Sequence, residues 1–214
     1  MNVLELFSGT GSVGKVCENI GLNVVSVDLI HKSTHTTDIM NFNYKQYPRD
    51  FFSMIWASPP CQYYSHLQYS RLNKVDKKGV KFTYEVWDNH MKNSDKLVLK
   101  TLEIINYFNP ELWFMENPQT GRLKERDIMK DLPYYDVDYC KYSDWGYRKR
   151  TRIWTNKKDW KNLLCKCDCG YTIGKKHINN LGNGDQSKIT NGKKYTLMER
   201  YRIPSKLIYS LILD

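Results

Sequence analysis

The sequence predicts an α/β domain with a mostly parallel central sheet flanked by helices. Three observations carry this. Short apolar runs of strand length recur along the chain, and helical periodicity fills stretches between them. The chemically distinctive residues fall where the runs end, as expected for an open sheet that binds ligands at its carboxyl edge.

Each element follows in order. Residues 3–7, VLELF, form an apolar run that stops at a glycine-rich turn, the pattern of a buried parallel strand. Residues 12–20 read as a helix with Val13, Val16 and Ile20 on one face. A second strand runs from Val24 to Leu29 and a third from Phe52 to Ala57, ending at Ser58-Pro59-Pro60-Cys61. Residues 62–92 are polar and tyrosine-rich, and a loop of that length is expected to act as a lid or binding segment. Residues 93–108 form an amphipathic helix with Leu97, Leu99, Leu102, Ile105 and Phe108 inward. A further strand, Glu111 to Met115, ends at Glu116-Asn117-Pro118, and the segment beginning at Ile203-Pro204 should close the chain as a helix. Residues 157–194 are basic and weakly periodic, a short irregular insert within a single domain spanning 1–214.

Bulk properties narrow the function. Hydrophobic residues make up 41% and charged residues 26%, an ordinary globular balance. No apolar run approaches the roughly 20 residues that span a bilayer. The start, MNVLELFSGTG, has no basic stretch ahead of an apolar one, so no secretory leader is expected. Six cysteines in a chain with this much core do not form a disulfide framework, which points to a reducing, intracellular setting. The formal charge of +10 favours polyanions, nucleic acid before acidic membrane surfaces.

Four constellations carry chemistry. The first is Phe7-Ser8-Gly9-Thr10-Gly11-Ser12-Val13-Gly14 after a strand, with Asp28 downstream. Its glycines permit a tight turn and close approach to an adenosine-bearing cofactor; a plain strand–turn–helix junction uses the same letters. The second is Ala57-Ser58-Pro59-Pro60-Cys61-Gln62-Tyr63-Tyr64-Ser65, where two prolines stiffen the backbone and present a thiol at a strand end. The third is Phe114-Met115-Glu116-Asn117-Pro118, a strand-end carboxylate able to bond a base edge or hold a proton, or else a surface acid before a turn. The fourth is Arg148-Lys149-Arg150-Thr151-Arg152. On a strand, alternation puts its three arginines on one face, for phosphate or a base carbonyl, or as a solvated edge.

Together these resemble the DNA cytosine-5 methyltransferase family, in the family's order and over roughly residues 3–156. Phe7-Ser8-Gly9-Thr10-Gly11 is similar to its cofactor motif. Pro60-Cys61-Gln62-Tyr63-Tyr64-Ser65 is similar to its Pro-Cys-Gln-x-Phe-Ser motif, with tyrosine for phenylalanine. Glu116-Asn117-Pro118 resembles Glu-Asn-Val, and Arg148-x-Arg150-x-Arg152 resembles Gln-x-Arg-x-Arg. Two features depart from the family. Only 157–194 stands where a large target-recognition domain follows, and Leu181-Gly182-Asn183-Gly184 has the letters of the late Gly-Asn motif without a clear place. Such a reduced chain suggests a compact, virus- or phage-type member.

The resemblance implies a Rossmann-like fold that binds S-adenosylmethionine. Phe7, Ser8, Gly9, Thr10, Gly11, Asp28, Asp38 and Pro59 would form its pocket, Asp28 toward the ribose and Asp38 toward the adenine amino group. Cys61 would attack C6 of a flipped cytosine, making C5 electron-rich. Glu116 would hold N3, Arg150 would bond O2, and Arg152 would support Glu116 or the catalytic loop. The expected partner is DNA, with RNA open, and no membrane; a monomer is expected. The compartment is a bacterial cytoplasm, or a nucleus or viral factory.

Cys165-x-Cys167-x-Cys169 with His177 invites a metal reading, but neighbouring cysteines lie closer than the usual C-x2–4-C, so plain thiols and no metal are expected. Lys157, Lys158, Lys161, Lys175, Lys176, Lys193 and Lys194 suit phosphate contact or a solvated loop. Three rivals stand beside this reading. Ser58-Pro59-Pro60 also fits an amino-group methyltransferase acting on adenine N6 or cytosine N4, although Cys61 replaces its aromatic. A non-catalytic nucleic-acid-binding relative would keep the same fold, and the glycine turn by itself would suit an NAD oxidoreductase.

Overall fold

Why the strands sit where they do is clearest from burial. In a computed structural model, which describes residues 1–181 and 195–214, the β-branched and aromatic runs form one seven-stranded sheet. The strands are β1 (Asn2–Leu6), β2 (Asn23–Asp28), β3 (His35–Thr36), β4 (Met54–Ala57), β5 (Leu112–Pro118), β6 (Tyr134–Asp138) and β7 (Arg150–Thr155). Their spatial order is β3-β2-β1-β4-β5-β7-β6. The pairs from β3 through β5 are parallel, while β7 runs antiparallel to both β5 and β6. Two short strands, β8 (Thr172–Ile173) and β9 (Lys176–His177), form a separate hairpin.

Alternation divides the core into two layers. Leu4, Leu6, Ile55, Ala57, Met115 and Trp154 face one way and pack on helix α2 (Tyr84–Phe108) through Trp87, Met91, Val98, Ile104 and Phe108. Val3, Met54, Trp56, Phe114, Val137 and Ile153 face the other. There they meet α1 (Ser12–Asn19) and the C-terminal helix α4 (Ser205–Leu213), which follows the short α3 (Leu197–Tyr201).

The structure corrects the sequence reading at several places. Helix α2 begins at Tyr84, not at residue 93, because the Thr83 side chain caps it by accepting from Val86 N–H and because Trp87 and Met91 bury a first half that is polar on its outer side. The irregular stretch after Cys61 is therefore 62–83. Leu99, expected inward, is 49% exposed, and Val98 and Thr101 take the buried positions. Strand β6 had no sequence signal; its Tyr134-Tyr135-Asp136 start reads as polar. The basic 157–194 segment holds the β8–β9 hairpin and Trp160, whose ring nitrogen donates to Ser210 Oγ on α4 at 3.0 Å. Gly182, Asn183, Gly184, Lys193 and Lys194 lie outside the described residues.

Candidate active site

The glycine turn is built around one acid. Glu5, on β1 and 4% exposed, accepts from Val13 N–H (3.2 Å) and Gly14 N–H (3.1 Å) at the start of α1. Burial pushes its carboxyl up to about 7, against the pull of those two bonds. A Cβ at Gly14 would lie 2.8 Å from Glu5 Oε2 and would force that carboxylate to shift. Gly9 and Gly11 take positive φ, 48° and 64°, and so does Phe7 at 57°. Ser8 N–H donates to Val27 O, and Gly11 N–H returns to Ser8 O at 2.7 Å. Thr10 Oγ1 meets Ser12 Oγ at 2.7 Å, and Ser12 Oγ also accepts from Ile203 N–H, tying the chain's tail to this turn.

Asp28 closes the same corner. Its Oδ2 accepts from Gly9 N–H (2.8 Å) and its Oδ1 from the Ile30 and His31 N–H groups. Partial burial opposes ionisation, but those bonds and the His31 ring hold the carboxyl below its usual range. Ile30, immediately beyond, is 79% exposed. Asp38 lies past β3, where its Oδ1 accepts from Met40 N–H.

The thiol sits at the next strand end. Ser58 N–H donates to Leu6 O, and the buried Asn117 amide donates to Pro59 O at 2.8 Å, so β1 and β5 both brace the Pro59-Pro60-Cys61 turn. Helix α2 holds the residues that follow. Trp87 Nε1 donates to Tyr63 O at 2.6 Å, and Tyr64 O–H donates to Asp95 at 2.8 Å, with Arg126 forked onto the same carboxylate. Tyrosine in place of the family's phenylalanine thus has a physical use. Cys61 lines a cleft of about 350 Å³ with Ser65, His66, Leu67, Pro118, Thr120 and Gly121. Two larger hollows, about 480 Å³ each, lie by Tyr107 and the amino ends of β4 and β5, away from these groups.

Burial raises the Cys61 thiol; Lys149 opposes that and Glu116 adds to it, so both charges act on the sulfur. Glu116 is buried. It accepts from Tyr139 O–H (3.0 Å) and lies 3.6 Å from Lys149 Nζ. Lys149 also donates to Arg200 O, and Tyr201 on α3 is pushed up by burial and by Cys61, so the C-terminal segment flanks the thiol.

Arg150 and Arg152 do not join Glu116. Glu116 pairs across with Ile153, and Arg152 with Asn117, which puts the acid and the arginines on opposite faces of the sheet. Arg150 forks onto Asp138 (3.0 and 2.7 Å) and Arg152 onto Asp136 (2.7 and 2.9 Å), the latter over the Tyr134 ring. Of the two roles expected for Arg152, support of Glu116 or of the catalytic loop, the first falls instead to Lys149 and Tyr139. The parity that grouped the arginines would have placed Lys149 with Glu116; Tyr139 had no sequence signal.

The fold is Rossmann-like, a mostly parallel sheet between helices, with a cysteine at the carboxyl edge of its strands. No family model matches the chain. A "Probable DNA (cytosine-5)-methyltransferase" of Frog virus 3 (isolate Goorha) is 37% identical over 228 residues, covering 99% of each protein. The chain belongs to the DNA (cytosine-5)-methyltransferase family. Among solved structures, the Entamoeba histolytica methyltransferase EhMeth matches 77% of this chain and 55% of its own, at a TM-score of 0.50 and 19% identity. The S. pombe Dnmt2 methyltransferase matches 78% and 52%, at 0.45 and 14%. The chain spans about half the length of these solved structures. No helix among the described residues is long and apolar enough to cross a membrane.

Proposed function

We propose that this chain methylates C5 of cytosine in DNA through a transient bond between Cys61 and C6 of the base. The observation that carries this is the thiol after β4, acted on by the buried Glu116 of the adjacent β5 and by Lys149, which precedes β7 and lies 3.6 Å from that acid. At rest the thiol is held protonated by burial and by Glu116. As Cys61 adds, its proton would pass to the site and be shared between Glu116 and N3 of the flipped base, so the carboxylate's charge is engaged there and Lys149 is left to favour the thiolate. Addition at C6 then gives C5 the electron density it lacks in the aromatic ring; once C5 is methylated, a base such as water would remove the C5 proton and the Cys61–C6 bond would break, returning the thiolate and the aromatic ring. Residues 62–83 would cover the extruded base, whose flipping costs a few kcal/mol.

The turn fits S-adenosylmethionine better than a dinucleotide. A pyrophosphate needs open N–H groups at the helix start, and Glu5 already takes those of Val13 and Gly14. Phe7, Ser8, Gly9, Thr10 and Gly11 would line the pocket, with Asp28 toward ribose hydroxyls, Ile30 as apolar cover, Asp38 toward the adenine amino group and Pro59 as the shared wall. When bound, the cofactor supplies an electrophilic methyl group. Arg150, with its side chain one-third exposed, is the arginine of the pair that could reach a base or phosphate, at the expense of its Asp138 contact.

The test is labelled methyl transfer to DNA followed by nucleoside digestion. Label in 5-methylcytosine, abolished by Cys61→Ala, is expected. Label in N6-methyladenine or N4-methylcytosine, or unchanged transfer by Cys61→Ala, would refute the proposal. RNA run in parallel decides between the two polymers.

A further inference from the structure

Four side chains outside the catalytic edge converge. Cys140 leaves the end of β6, Cys165 and Cys169 come from the segment after β7, and His177 comes from β9; their ligand atoms all lie within 4.8 Å of one another. Cys165 Sγ is 3.6 Å and Cys169 Sγ 3.4 Å from His177 Nε2. A tetrahedral zinc with Zn–S of about 2.3 Å and Zn–N of about 2.05 Å has S···N edges of about 3.6 Å and S···S edges of about 3.8 Å. Both S···N separations match that shell, and the other ligand atoms lie within about 1 Å of closing it.

We propose that Cys140, Cys165, Cys169 and His177 bind one structural Zn²⁺. Three thiolates and an imidazole are an established zinc donor set, and four protein ligands close the shell, leaving no open position for chemistry. Binding displaces the three thiol protons to solvent without any change of oxidation state. The resulting net charge of −1 lies beside Lys141, which pairs with Asp168 at 3.1 Å. Cys167 is not a ligand. It is exposed, takes a positive φ of 66° and has its sulfur 3.9 Å from Lys175 O. Without Cys167, Cys165 and Cys169 are a C-x3-C pair, inside the usual zinc spacing. Counting three adjacent cysteines hid that pair, and Cys140 lies on the far side of β7 in sequence.

The backbone around the ligands ties the site to the sheet. Cys165 N–H donates to Asp138 Oδ2 at 2.9 Å, the same carboxylate that Arg150 grips. The ion would thus fasten the basic segment and its β8–β9 hairpin to the ends of β6 and β7.

The test is metal content of the full-length protein, purified from zinc-supplemented cells without chelator, by inductively coupled plasma mass spectrometry. One zinc per chain is expected, retained in Cys167→Ser and lost in Cys169→Ser and His177→Ala. Because those variants can fail to fold, the wild-type protein is also stripped and refilled with Co²⁺, which should give the strong visible absorption of a tetrahedral thiolate site at one equivalent. Folded protein with no stoichiometric zinc and no such cobalt spectrum overturns the proposal, as does a disulfide among Cys140, Cys165 and Cys169 in protein kept reduced.

Discussion

Replacing Lys149 by methionine isolates the electrostatics of the thiol. Lys149 Nζ lies 3.6 Å from Glu116 Oε1, with side chains only 14% and 9% exposed. At that distance and an effective dielectric constant of about 20, the gross attraction is about 5 kcal/mol. Leaving one member of a poorly solvated pair alone costs about 3–5 kcal/mol of stability. Methionine keeps the length of the stem, so packing over the Tyr139 ring is largely preserved. The same change removes the charge that favours the Cys61 thiolate and leaves the one that opposes it. Losing the favourable charge while keeping the unfavourable one lowers the thiolate fraction of Cys61. The assay is the rate of Cys61 alkylation by iodoacetamide, followed by peptide mass spectrometry across pH, on protein shown to be folded by circular dichroism. Lys149→Met should slow alkylation at pH 7.5. Glu116→Gln should speed it while slowing methyl transfer. Arg150→Met should leave the rate within about twofold, since that guanidinium serves Asp138. An unchanged rate in Lys149→Met together with a slowed rate in Arg150→Met would refute this reasoning.

Three further outcomes follow from the same structure. Glu5 has a folded value of about 7 against 4.5 when free, so the folded state holds its proton longer than the unfolded chain. Its contribution is intact below pH 4.5 and is lost as pH rises through 7, by about 3 kcal/mol, which urea melts at pH 5 and pH 8 should register and Glu5→Gln should flatten. Gly14→Ala drives a methyl group against Glu5 Oε2 and should cost about 1–3 kcal/mol in the same melts. Tyr64→Phe loses the bond to Asp95, which keeps Arg126, and should cost about 1–2 kcal/mol with only a modest drop in methyl transfer.

The parallel half of the sheet was legible because β1, β4 and β5 are buried on both faces and read as continuous apolar runs that end at Gly9, Cys61 and Glu116. The antiparallel half was less so. Strand β6 begins with two tyrosines and alternates aspartates that serve as anchors for arginines on β7, a pairing that exists only across strands. That pairing is also why Arg152 does not support Glu116. A motif shows that guanidiniums share a face, but not which face the neighbouring acid occupies. Helix α2 was half hidden because its first turns present Glu85, Asp88 and Lys92 outward while Trp87 and Met91 do the burying. The glycine turn and Asp28 were legible as features of one corner, but Glu5 was not, since its use as an anchor for α1 depends on a contact between β1 and a helix eight residues on.

The central claim is that sulfur bonds to the pyrimidine ring. DNA carrying 5-fluorocytosine blocks the removal of the group at C5, so the enzyme and its cofactor should yield a stable complex surviving denaturation. Intact-mass analysis should place the oligonucleotide on the peptide containing Cys61, with none on Cys61→Ser. Methylation of ordinary DNA without any such adduct on the fluorinated strand would contradict the account.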